Sequence, residues 1–102
     1  MNDQWPWDQP PNCAVISERD IFENNAPILL VTHDADDHSW QFLGIGDRDI
    51  DNAIVVALSE VSEPDPTVLE VAGIAPGWRA WRRSREHPWI TEPNPEGDEE
   101  SA

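Results

Sequence analysis

The stretch Pro27-Ile-Leu-Leu-Val-Thr-His-Asp-Ala-Asp-Asp-His-Ser-Trp-Gln-Phe-Leu-Gly-Ile45 decides the fold. Two apolar, β-prone runs flank a short acidic segment, the pattern of a β-hairpin at the centre of a small sheet. Ile28 to Val31 is continuously apolar, as suits a central strand covered on both faces. In the return strand Trp40, Phe42 and Gly44 alternate with Gln41, Leu43 and Ile45. Trp40 and Phe42 therefore share a face, expected to be the core face.

Upstream of the hairpin, Cys13-Ala-Val-Ile16 is a short strand candidate. Ser17 reads as the N-cap of a helix with an acid, Asp20, three residues on. That helix carries Ile21 and Phe22 and ends at Asn24-Asn25, where asparagine tolerates the left-handed conformation. Downstream, 46–52 is a polar loop and Ala53 to Leu58 is a second buried-strand candidate. Asp65 is placed to cap a helix and Pro66 suits its first position. Thr67 to Ala72 forms that helix, ended by Gly73. Pro76-Gly77 suits a type II turn, and Trp78 to Arg83 alternates as a last strand.

The order β-α-β-β-β-α-β predicts an α+β domain: a small, mainly antiparallel sheet with two short helices. The chain of 102 residues holds one domain at 13–90. Residues 1–12 are expected to be an irregular lead-in with Trp5 and Trp7 draped over the domain. Residues 91–102 read as a disordered acidic tail. A folded part of about 80 residues has one thin core and little room for a deep pocket, which counts against an elaborate cofactor enzyme.

Six arginines, no lysine and 21 acidic residues give a net charge of −15. Such a surface repels nucleic acid and anionic membrane and attracts basic protein surfaces over long range. Solubility or a salty cytoplasm explains the same balance without any partner. The single cysteine, Cys13, excludes an intramolecular disulfide and fits a reducing compartment. An acidic, Pro/Trp-rich start without an apolar core does not read as a signal peptide, and no run reaches the roughly 18 apolar residues of a membrane span. The expectation is a soluble, cytoplasmic protein.

His33, Asp34, Asp36, Asp37 and His38 carry ligand-type side chains at close spacing, and imidazole with carboxylate holds zinc or similar ions. The segment lacks a helical scaffold, and it lacks the glycine and terminal glutamate of an EF-hand. It is equally what a solvated hairpin turn looks like, and that reading is preferred. Asp47, Asp49 and Asp51 lie at the other end of the return strand, about 23 Å away at about 3.3 Å per residue, too far to share one ion with the first set. No residue pattern places a histidine beside Cys13 as a nucleophile pair, so a buried strand cysteine is preferred. Trp78, Arg79, Trp81, Arg82, Arg83 and Arg85 interleave aromatics with cations as single-stranded nucleic-acid binders do. The net charge opposes that use, and arginines paired to neighbouring acids with packed tryptophans are expected instead.

Cys13-Ala-Val-Ile-Ser17, Pro27-Ile28, and an acidic segment running into Asp37-His-Ser-Trp-Gln-Phe-Leu43 resemble the Imm33-like domain family. The likeness continues through 46–49, Ala53 to Leu58, Asp65-Pro66-Thr-Val-Leu69 and Gly77-Trp-Arg-Ala-Trp-Arg82. It covers about Cys13 to Arg83, and departs where Ser39 replaces the usual glycine before the tryptophan. The resemblance implies a bacterial immunity-type protein that binds one cognate toxin stoichiometrically, without catalysis; the residues themselves call for no metal and no cofactor. The acidic surface then assigns partner binding to Asp34, Asp36, Asp37, Asp47, Asp49 and Asp51, the toxin face being basic. The competing readings are a small metal-dependent hydrolytic enzyme built on His33 to His38, or a non-catalytic regulatory or scaffolding domain.

Overall fold

The computed structural model describes residues 5–44 and 50–94. Strands β1 (Ala14–Glu18), β2 (Leu30–His33), β3 (Trp40–Leu43), β4 (Ala53–Ala57), β5 (Trp78–Trp81) and β6 (Ile90–Pro93) form one sheet in the order β4-β1-β3-β2-β5-β6. Helix α1 (Arg19–Glu23) follows β1, and a 3-10 helix spans Pro66–Val71. All neighbours are antiparallel except β1 and β3, which run parallel with Ile16 opposite Gln41. This is the small, mainly antiparallel α+β fold that the order of elements predicts. No helix among the described residues is long and apolar enough to cross a membrane.

The hairpin forms in the expected place. Leu30 pairs with Leu43 and His33 with Trp40, and Trp40 and Phe42 both lie in the core. The covering layer comes from one side: Ile21 of α1, Leu58, Val61, Val68 and Val71 of the helical turns, and Trp7 of the lead-in. Of the two tryptophans expected to drape, Trp7 does, meeting Trp40 edge-on at 4.8 Å and Phe42 at 5.4 Å, whereas Trp5 is 40% exposed. Edge-to-face pairs place the positive ring rim on the neighbour's negative face, which adds to the area buried. β2 is central, but Leu30 is only half-buried, so the strand is not sealed on both faces.

Three local signals act as read. Asp65 accepts from the backbone N–H of Thr67 at 3.2 Å, with Pro66 at the first helical position. Asn25 takes the left-handed conformation at φ 60 just past α1. Gly77 has φ 87, and the Trp78 N–H donates to the Ala75 carbonyl at 3.1 Å, closing the type II turn over Pro76-Gly77. A side chain at that φ is strained, so Gly77→Ala is expected to destabilise by about 1 kcal/mol or more in thermal melts.

Three readings are corrected. Ser17 does not cap α1: it is the last inward residue of β1, fully buried, its hydroxyl donating to the Phe42 carbonyl at 2.8 Å. A buried hydroxyl needs a partner, and the adjacent strand supplies one, so Glu18 takes the cap position without a side-chain cap bond. β4 is not buried but an edge strand, with Val55 67% exposed. Residues 91–93 belong to β6, paired with β5, so the folded part extends past residue 90; residues 95–102 lie outside the described residues.

Candidate functional site

The turn between β2 and β3 is closed from within. The Asp34 N–H donates to the Ser39 carbonyl at 2.8 Å, and the His38 N–H to the Asp34 carbonyl at 3.1 Å. Asp34 Oδ1 accepts from the Asp36 N–H at 2.7 Å, and Asp37 Oδ1 from the Ser39 N–H at 3.0 Å. These are Asx-type contacts, the reason aspartate recurs in turns. The Ser39 N–H bond, chiefly, holds the Asp37 carboxyl below its ordinary value. The Asp36 carboxylate forms no hydrogen bond among the described residues and stands in solvent.

The structure brings Asp34, Asp36 and Asp37 together and keeps Asp51 apart. Asp51 sits in the 3-10 turn Ile50–Asn52 ahead of β4, where the Asp20 N–H of α1 donates to Asn52 Oδ1 at 3.1 Å. Because β1 runs parallel to β3, α1 and this turn lie at the end of the sheet opposite the acidic turn. Asp47 and Asp49 lie outside the described residues.

His33 departs from the solvated-loop reading. It ends β2, is 3% exposed, and stacks on Trp40 at 3.9 Å with 14° between planes. Its Nδ1–H donates to the Ile74 carbonyl at 2.8 Å, and Nε2 is held by Asp8 Oδ2 at 2.9 Å. The other Asp8 oxygen accepts from Trp40 Nε1–H at 2.8 Å. Both imidazole nitrogens are thus occupied inside the protein, and neither is presented to a substrate or ion. His38 is exposed, with its ring 5.8 Å from His33. No group of three or more His, Cys, Asp or Glu among the described residues is arranged to hold a metal ion.

Asp8 was not legible as a site residue, because nothing near it in sequence names its partners 25 and 32 residues on. Its position directly after Trp7 is the available signal. Asp8→Ala is expected to strand Trp40 Nε1–H and His33 Nε2. The cost is about 1 kcal/mol per group, the low end of the range, because Asp8 is open enough to water for partial replacement. Urea denaturation measures it.

Arg79, Arg82 and Arg85 of the arginine–tryptophan stretch are paired to acids as expected, while Trp78 is 38% exposed and Arg83 is exposed. Arg82 is 1% exposed and meets Asp65 Oδ2 at 2.7 Å, the Ile28 carbonyl at 3.1 Å and Thr67 Oγ1 at 2.9 Å. Its guanidinium lies 4.0 Å over the Trp89 ring. Arg85 reaches Asp65 at 3.4 Å, Arg79 meets Glu92 at 2.6 Å, and Arg19 lies 3.8 Å from Glu23. Burial pushes the Asp65 carboxyl up, but the Thr67 hydroxyl and the Arg82 and Arg85 charges outweigh it, so it lies below its ordinary value. A lowered carboxyl contributes stability that is complete above its unfolded pKa of about 3.9 and is lost as pH falls through the folded value. Acid denaturation below about pH 4 should therefore flatten in Asp65→Asn, a less stable variant at neutral pH.

One serine–histidine contact is exposed: Ser84 Oγ lies 2.7 Å from His87 Nδ1. The same Oγ accepts the Glu86 N–H at 3.3 Å, which makes this a local turn rather than a nucleophile aligned with a base. Comparison with protein-family models, with curated proteins and with solved structures finds no match to this chain.

Proposed function

We propose that this chain is an immunity-type binding protein that neutralises a basic bacterial toxin by stoichiometric association, as the likeness to the Imm33-like family implies. The observation that carries the reading is how its charge is spent. Arg19, Arg79, Arg82 and Arg85 are each committed to carboxylates within the chain, while the net charge is −15. The acidic excess therefore faces outward, with Asp34, Asp36 and Asp37 at one end of the sheet and Asp51 at the other. Opposite charge of this kind steers encounter and raises association rates, while apolar anchors supply most of the affinity.

Co-expression tests the reading. Cells producing a toxin from the adjacent gene should grow when this chain is present, and the two proteins should co-purify in equal amounts. Absence of both rescue and co-purification in every neighbouring-gene pairing removes it. Asp36→Lys alters charge without breaking a turn bond, and is expected to slow association about tenfold while leaving dissociation nearly unchanged, read by stopped-flow. The hydrolytic alternative needs a metal on the His33–His38 segment. Zinc calorimetry separates the two, micromolar binding favouring the enzyme.

A further inference from the structure

The two edges of the sheet are built differently. On β6, Ile90 and Glu92 face β5, as the register and the bond from the Asn94 N–H to the Gly77 carbonyl (2.8 Å) require. Thr91 and Pro93 face outward, and Pro93 has no N–H to offer. Proline at an outward edge position is a standard guard against strand addition. Beside it the Arg79–Glu92 ion pair crosses the same edge.

β4 carries no such guard. Its sequence, Ala-Ile-Val-Val-Ala, holds no charge and no proline. The bond from the Leu58 N–H to the Cys13 carbonyl (2.8 Å) sets the ladder, so Ile54 and Val56 face β1 while Ala53, Val55 and Ala57 face outward. At the far end the Ala57 N–H is taken by Glu60 Oε1 at 3.1 Å. The opening is therefore centred on Val55, whose N–H and C=O have no partner among the described residues.

The side chains beside Val55 are apolar, and Glu18, opposite Ala53, accepts from the Gly44 N–H at 2.9 Å. Val55 is 67% exposed and Ile16, directly opposite on β1, is 42% exposed on the same face. Ala14 and Ala53 flank them, also exposed. Antiparallel sheets that face water normally place polar residues there. A bare strand edge beside an uncovered apolar patch is the arrangement that accepts an added strand, main-chain bonds giving affinity and side-chain contacts giving selectivity.

Charge selects the occupant. Exposed acids stand at both ends of β4: Asp20, against Asn52, at the start, and Glu60 at the finish. An antiparallel second copy centred on Val55 would bring Glu60 of one molecule toward the Asn52–Asp20 end of the other, twice, between two chains of charge −15. An extended segment with apolar residues at its centre and arginine or lysine at its ends meets both features. We infer that the β4 edge at Val55, with Ile16 beside it, docks a basic extended segment of a partner protein by strand addition. The assignment rests on the reading of the chain as a binder of basic protein, and names the contact that reading leaves open.

The probe is the end-capped pentapeptide Arg-Thr-Val-Thr-Arg, titrated into the full chain by NMR. Shifts should concentrate at the amides of 53–57 and the Ile16 methyls. Binding should weaken at least tenfold for the peptide N-methylated at its valine, for its glutamate-flanked counterpart, and for Val55→Pro, whose lost N–H plays no part in the β1 ladder. Val55→Lys keeps that N–H and should weaken the arginine-flanked peptide comparably if Val55→Pro fails to fold. Absence of binding at millimolar peptide, equal binding of the N-methylated peptide, or shifts only at the Asp34–Asp37 turn overturns the assignment. So does a dimer, seen by sedimentation without peptide, that Val55→Pro dissolves. If toxin rescue survives in folded Val55→Pro, the edge assignment fails and the binder reading stands; if wild type gives no rescue, the binder reading fails whatever the peptide does.

Discussion

Replacing Arg82 with alanine is expected to destabilise the chain by about 3–5 kcal/mol, because it leaves the Asp65 carboxylate buried without its main counter-charge. Asp65 and Arg82 are each 1% exposed, so water cannot reach them as it reaches the surface pairs. The guanidinium also ties β5 to the Ile28 carbonyl and to Thr67, and it covers Trp89. Small domains hold only about 5–15 kcal/mol in total, so the loss should lower the melting temperature by tens of degrees. The second half of the cycle is diagnostic. An Asp65→Leu/Arg82→Met double variant should recover most of the loss, since apolar replacements of a buried pair are often neutral or stabilising. A loss under 1 kcal/mol for Arg82→Ala would show the pair to be incidental.

Trp40→Ala is expected to cost a similar amount, about 3–5 kcal/mol, the range for emptying a large aromatic site in a core. Trp40 is 1% exposed and is touched by Trp7, His33 and Phe42, with its N–H spent on Asp8. Its removal unseats the lead-in as well as the hairpin, so Trp7 fluorescence should shift to the red in whatever fraction remains folded. Trp40→Phe should lose less, keeping the stack but stranding one Asp8 oxygen. Chemical denaturation with a tryptophan-emission readout checks both.

These two residues differ in how far the sequence revealed them. Trp40 was legible because strand alternation is local: two residues apart means one face. The cap at Asp65-Pro66 and the turn at Pro76-Gly77 were legible for the same reason, as short backbone rules with few alternatives. The ion pair was not, because Asp65 and Arg82 lie 17 residues apart, one capping the 3-10 helix and one just past β5, and only the tertiary fold brings them together. The parallel pairing of β1 with β3 is likewise a product of the whole topology. β4 was misread because a continuous apolar run describes a buried strand and an unguarded edge equally well. β6 is not legible in the sequence, because four residues ending in proline, beside an acidic tail, carry almost no strand signal.

The acidic residues were partly legible. Strand length alone separated Asp34, Asp36 and Asp37 from Asp51, and the structure sets them at opposite ends. His33 was misplaced because its burial depends on Asp8 and Ile74, one far before it and one far after. Its environment replaces the solvated turn residue of the sequence reading with a buried one that pins the hairpin from beneath.

The proposal that this chain acts as a stoichiometric acidic inhibitor is tested most directly by titrating a toxin encoded in the adjacent gene into it by calorimetry, at low and at high salt. The predicted result is one-to-one binding that weakens as salt rises, with toxin activity abolished only when the two are equimolar. Inactivation of the toxin by a small fraction of an equivalent, or no heat of binding at either salt, would contradict it.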